Sequence, residues 1–148
     1  MSKSRVVIVR SKKVLSKSKQ IDSFVLSEML KKGLQTLSGD LDFRDSIRRF
    51  YSPQDVLGFK VNCLAGKGAS THPEVALAFA NLLKESGIKE KNIIIWDRSN
   101  EELEEVGFPL NYKGDGLRCF GTDTDGIGYS RDLYEHLNIG SLVSNILL

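Results

Sequence analysis

Apolar positions fall into short blocks whose spacing alternates between that of a strand and that of a helix. Val6, Val7, Ile8 and Val9 form a β-branched run that predicts a buried strand. The Lys/Ser-rich stretch over 11–19 reads as a solvated loop. Phe24, Val25, Leu26, Met29, Leu30, Leu34 and Leu37 then recur at helical spacing and predict an amphipathic helix over about 21–37. Gly33 weakens that helix, and Ser38, Gly39 and Asp40 end it. Phe43, Ile47 and Phe50 mark one side of a short helix over 43–50.

Residues 56–61 predict a second strand, and a Gly-containing loop from Asn62 to Thr71 follows it. Val75, Ala76, Phe79, Leu82 and Leu83 predict a helix over 73–86 with Gly87 as its C-terminal cap. The run 92–96, with three isoleucines before Trp96, is the strongest strand pattern in the chain, and Asp97 and Arg98 stand at its end. Ser99 and Glu102 form a capping box for a short helix that reaches Gly107. Residues 117–120 predict a further strand, and 121–126 a turn. Strand, helix, strand, helix, strand is the alternation of βαβ units. The expected class is therefore α/β, with a mainly parallel sheet and helices packed on it in a three-layer, Rossmann-like arrangement.

At 148 residues the chain is expected to form a single α/β domain over 1–148. Hydrophobic residues at 41% and charged residues at 27% fit a globular protein and exclude a disordered or fibrous one. The net charge of +2 argues against a strongly cationic nucleic-acid binder, although residues 1–35 hold nine basic side chains and two acidic ones. That basic front has little aromatic interleaving, so a solvated loop is favoured over a nucleic-acid arm. No run is long enough for a membrane span or a signal-peptide core, which gives a cytoplasmic expectation with no membrane partner. Two cysteines, Cys63 and Cys119, cannot supply a disulfide framework, a four-cysteine zinc site or a cysteine-ligated cluster.

Ligands of open parallel sheets bind beyond the carboxyl ends of the strands. That rule selects the loop over 60–72, with Lys60, Asn62, Gly66, Lys67, Gly68, Ser70, Thr71 and His72, and the loop with Asp97, Arg98, Ser99 and Asn100. Gly66 and Gly68 before a helix suggest an anion cradle built of backbone N–H groups, against the plainer reading of turn glycines in a loop. It is not a P-loop: Val61 stands where that pattern needs Gly, and Gly68 where it needs Ser or Thr. Thr71 and Glu74 fit a capping box, with Pro73 in the first helical turn.

His72 is not needed for that cap and is an acid/base or metal-ligand candidate. A zinc site from Cys63, His72 and Asp97 is conceivable, but no spacing specifies it, and His136 adds no metal pattern. Asp97, at the end of an apolar strand, suits a ribose, a metal or a proton-bearing group; the plainer roles are a partner for Arg98 or a helix cap. Glu101, Glu102, Glu104 and Glu105 read as a solvated helix face.

Lys60-Val-Asn62, the Gly-containing loop, Ser70-Thr-His-Pro-Glu74, residues 82–87 and Ile93-Ile-Ile-Trp-Asp97 together resemble the family called domain of unknown function 362. The resemblance runs from about residue 5 to the end. Its most specific part is Lys-x-Asn, then Thr-His-Pro, then a strand ending in Asp. It implies no general activity, since that family has none assigned, and some members carry ferredoxin-like iron–sulfur segments. This chain lacks those cysteines, so no iron–sulfur cluster is expected from it. Val61 stands where many relatives have proline. The resemblance marks Asn62, Thr71, His72 and Asp97, with Lys60 next, as positions lining a site.

The chain stops on apolar residues, with Leu142, Val143, Ile146 and Leu147 on one face. Such an end either docks into the core, forms a homo-oligomer contact, or marks the N-terminal part of a longer family protein. The leading functional expectation is a domain binding a small anionic ligand, phosphate or carboxylate, with or without a metal. In that reading His72 and Asp97 are the acid/base candidates. Lys60, Asn62, Gly66, Gly68, Ser70, Thr71 and Arg98 hold the ligand. The alternative is a non-catalytic structural or interaction module, the front of an iron–sulfur family protein without its cluster segment.

Overall fold

Asp22 and Asp42 start the first two helices in the same way. Each carboxylate accepts a backbone N–H of the first turn, Asp22 from Val25 at 3.0 Å and Asp42 from Arg44 at 2.9 Å. In the computed structural model, which describes residues 4–136 and 139–147 (backbone alone for 132–136 and 139–142), these helices are α1, Ser23–Ser38, and α2, Phe43–Arg48. A third, α3, spans Pro73–Glu85. The chain divides into two compact units, Met1–Leu57 with His72–Ile93, and Gly58–Thr71 with Ile94–Leu148.

The first unit is helical. α1, α2 and α3 pack on one another, burying Leu26 of α1, Phe43 and Ile47 of α2, and Ala76, Ala80, Leu82 and Leu83 of α3. α1 ends on Gly39 in the left-handed region, φ 86°, with its N–H returned to the Gln35 carbonyl. α3 closes through Gly87: its N–H reaches the Lys84 carbonyl while the Ile88 N–H reaches that of Leu83, a Schellman ending. Residues 11–19 are the loop expected, folded back by a bridge between Leu15 and Ile21.

The predicted strand over 6–9 does not form. A strand needs a neighbour for its N–H and C=O groups, and the three-stranded sheet contains other segments. Val9 lies instead against Gly33 of α1, while Val6 and Ile8 face solvent.

The second unit carries, but for the first residues of β1 and β2, a parallel sheet ordered β1-β2-β3, with β1 at Leu57–Lys60, β2 at Ile93–Asp97 and β3 at Arg118–Gly121. The α/β class with parallel strands is thus present. β2 is buried at every position, as its unbroken apolar run requires. Its register with β3 sets Ile94 beside Arg118 and Asp97 beside Gly121. Pairing continues past the strand ends, because the Thr122 N–H donates to the Asp97 carbonyl and the Val61 N–H to that of Trp96, both at 3.0 Å.

Helix α4, Asn100–Val106, starts where the Ser99 hydroxyl accepts the Glu102 N–H and stops at Gly107, φ 109°. Ile94, Trp96 and Phe120 form a buried cluster, with Tyr112, Ile127 and Ile146 packed against it. The turn over 121–126 is present as expected.

Two elements were not expected. β4, Tyr129–His136, and β5, Ile139–Ser144, form an antiparallel pair. The apolar tail is therefore a strand followed by a turn. Ile146 joins the core and Leu147 is exposed. The side chains of Leu142 and His136 and all of Leu148 lie outside the described residues.

Candidate functional site

A parallel sheet opens all its strands toward one end, and in the second unit the three carboxyl ends supply one lining. β1 brings Lys60 and the following Asn62, β2 brings Trp96 and Asp97 with Arg98 after it, and Thr122 follows β3. Glu102 of α4, Tyr129 of β4, and Val143 and Ser144 of β5 add to it, with Leu64 and Leu147 from loops. The cavity they enclose is about 480 Å³, a size suited to a small molecule.

Asp97 is the structural centre of this lining. One carboxylate oxygen accepts the Lys60 ammonium at 2.5 Å and the other the Cys63 N–H at 2.6 Å. Burial alone would raise its pKa. The Lys60 ammonium and the N–H groups of Arg98 and Cys63 outweigh that penalty and hold the carboxyl below its usual range. Lys60 also donates to the Val61 carbonyl and lies over the Trp96 ring, 5.7 Å from its centre. Held ionised by these partners, Asp97 fixes Lys60 and the turn at Cys63.

Arg98 and Glu102 form a second ion pair, one helical turn apart across the start of α4. The second Glu102 oxygen is buried without a hydrogen-bond partner among the described residues. Glu102 therefore departs from the solvated face expected for this glutamate cluster, because Arg98 and the cavity wall take it inward. Deeper in the lining, the Thr122 and Ser144 hydroxyls share a hydrogen bond of 2.8 Å. The supporting loops are fastened by Asn100, whose backbone N–H donates to the Asp123 carboxylate, whose side-chain Nδ2 donates to the Thr124 hydroxyl, and whose side-chain Oδ1 accepts the Gly121 N–H, each at 2.8 Å. Asn145 ties the tail back through the Gly128 and Ile127 carbonyls.

The 62–71 loop is closed at its base. The Thr71 N–H donates to the Asn62 carbonyl at 2.8 Å, and the Thr71 hydroxyl accepts the Asn62 N–H at 3.1 Å. Thr71 thus closes a loop and does not form the expected capping box; the N-cap of α3 is His72, which makes no side-chain cap bond. Gly66 and Gly68 adopt left-handed φ values of 66° and 101°. The Leu64 N–H is given to the Asn62 side chain and the Gly66 N–H to the Cys63 carbonyl, so both serve the turn itself. The Ser70 hydroxyl is buried without a partner among the described residues.

Of the residues singled out from sequence, Lys60, Asn62, Asp97 and Arg98 share the cavity lining. Gly66, Gly68, Ser70 and Thr71 belong to the loop beside it and do not line it. His72 belongs to the first unit. No three His, Cys, Asp or Glu side chains gather as a metal site among the described residues.

Both cysteines are buried and unpaired. Burial, and then the nearby Asp97 charge, pushes the Cys63 thiol up to about 11, and burial pushes Cys119 up to about 12. Neither is a thiolate nucleophile at neutral pH.

Glu102, Thr122, Tyr129 and Ser144 were missed by the sequence reading. The one available signal was the four-residue spacing of Arg98 and Glu102. Comparison with family models, with curated proteins and with solved structures finds no match.

Proposed function

We propose that this cavity binds a small anionic ligand, a phosphate or a carboxylate, through Lys60 and Arg98. One observation carries the reading. In both ion pairs the cation is the exposed partner, Lys60 at 50% against 5% for Asp97, and Arg98 at 61% against 15% for Glu102. The carboxylates lie beneath and orient the cations, so an entering molecule meets an ammonium and a guanidinium before it meets negative charge. Asn62 and the Thr122 hydroxyl add polar groups to the same lining.

In this reading Asp97 orients Lys60 rather than transferring a proton, because its neighbours hold the carboxyl below its usual range. The resemblance to the domain of unknown function 362 family is part of this proposal. Its support is that the Lys60-x-Asn62 pair and Asp97, which carry the resemblance, lie on one lining. A cytoplasmic location belongs to it too, resting on two unpaired buried thiols that suit a reducing compartment.

Calorimetric titration with inorganic phosphate and with acetate tests the reading. Saturable binding that weakens at least tenfold in Arg98→Gln supports it. Binding that is absent, or indifferent to Arg98→Gln and Lys60→Met alike, rejects it.

A further inference from the structure

The anion reading leaves most of the cavity unused, because a bare phosphate or acetate fills only a small part of about 480 Å³. Besides the two cations and their polar neighbours, the lining holds apolar side chains. Leu64 from the loop after β1, Tyr129 from the start of β4 and Leu147 after β5 are 68%, 45% and 61% exposed, and all three line this cavity. Single exposed apolar residues need no explanation. Three from separate segments of one unit, lining the same cavity as the two cations, give it apolar as well as charged walls. Its apolar side is held in place: Asn145 anchors the tail that carries Leu147, and the Thr71–Asn62 clasp holds the loop that carries Leu64.

We propose that the ligand is an amphiphilic anion, a carboxylate or phosphate joined to an aromatic or branched hydrocarbon body. The anionic group sits at Lys60 and Arg98, and the body covers Leu64, Tyr129 and Leu147. This rests on the anion reading and narrows it. Covering the three side chains removes apolar surface from water, which favours the larger ligand over the bare anion. The cations fix which end enters.

Titration of matched pairs tests this: inorganic phosphate against phenyl phosphate, acetate against phenylacetate, and 2-phenylethanol as the neutral body. The aromatic anion of at least one pair is expected to bind tenfold or more tightly than its bare partner and than the neutral alcohol, a gain of about 1.4 kcal/mol. The better pair identifies the anionic group. In Leu147→Ser and in Leu64→Ser, both at exposed positions, the ratio of the aromatic anion's affinity to the bare anion's falls. Equal affinity within both pairs overturns the amphiphile and leaves the anion reading standing. A gain untouched by either variant also overturns it, since the body then lies elsewhere. If no anion binds, or the neutral alcohol binds as well as its charged relatives, the anion reading itself fails.

Discussion

The Lys60 ammonium and the Asp97 carboxylate meet at 2.5 Å across neighbouring strands, and the lysine alone of the two reaches solvent. That unequal exposure gives the pair two roles. Inward, it neutralises a buried carboxylate; outward, it presents a cation fixed in direction.

Removing the cation tests the inward role. Lys60→Met leaves Asp97 buried with the Arg98 and Cys63 N–H groups but without its cation. A loss of about 1–2 kcal/mol is expected in urea unfolding, below the ~3–5 kcal/mol of a fully buried broken pair because Lys60 is half exposed. Pairing Lys60→Met with Asp97→Asn restores part of it. Equal losses in the single and double variants would show that the carboxylate charge is not what the lysine compensates.

The acid limb of stability follows from the same residue. Asp97 titrates below its ordinary value of 3.8 in the folded chain, so its contribution is complete above about that pH. It is lost as pH falls through the lower folded value. The stability difference between wild type and Asp97→Asn therefore stays constant from neutral pH to about 4 and closes below it. A difference that changes between pH 5 and 7 would assign the pH dependence to another group.

Both thiols should resist alkylation. With Cys63 raised to about 11 and Cys119 to about 12, and both buried, iodoacetamide labelling at pH 7.5 is expected to proceed only through unfolding. Urea should accelerate the two sites together. Fast labelling of Cys63 in the native protein would mean that the turn after β1 opens readily.

Two glycines predict opposite outcomes. A Cβ at Gly121 would lie 2.4–2.5 Å from the Asp123 carboxylate, the Asn100 nitrogen and the Ser99 carbonyl carbon, so Gly121→Ala must displace the loops after β2 and β3. A loss of about 1–3 kcal/mol is expected, with weaker ligand binding. At Gly33, within α1, the nearest atom is the Val9 methyl at 3.5 Å, an ordinary contact. Gly33→Ala should stabilise by about 0.5–1 kcal/mol through helix propensity. Thermal unfolding of both variants checks the pair.

Local signals were the legible part of this fold. The isoleucine run before Trp96 marks β2, Ser99 starts α4, and Gly87 and Gly107 end helices, because each acts within a few residues of itself. The β4–β5 pair was not legible. Tyr129–His136 mixes Arg131, Asp132 and Glu135 with its apolar positions, and no Asn-Gly or Asp-Gly turn marks the connection. Val6–Val9 shows the converse: strong β propensity without a strand neighbour.

Much the same division holds at the site. Lys60, Asn62, Asp97 and Arg98 follow from the strand-end rule. Tyr129, Ser144 and Leu147 reach the cavity through a hairpin whose position the linear pattern does not give. Thr71 had two uses for its hydroxyl, and the loop clasp took it from the helix cap.

In the proposed role, Lys60 and Arg98 receive an anion at the strand ends. Amide chemical shifts of the isotope-labelled chain, followed through a phosphate and an acetate titration, test it most directly. Saturable changes are expected at 60–64, 97–98 and 122, with affinity falling at least tenfold in Arg98→Gln. Changes confined to other residues, or none at millimolar anion, would contradict it.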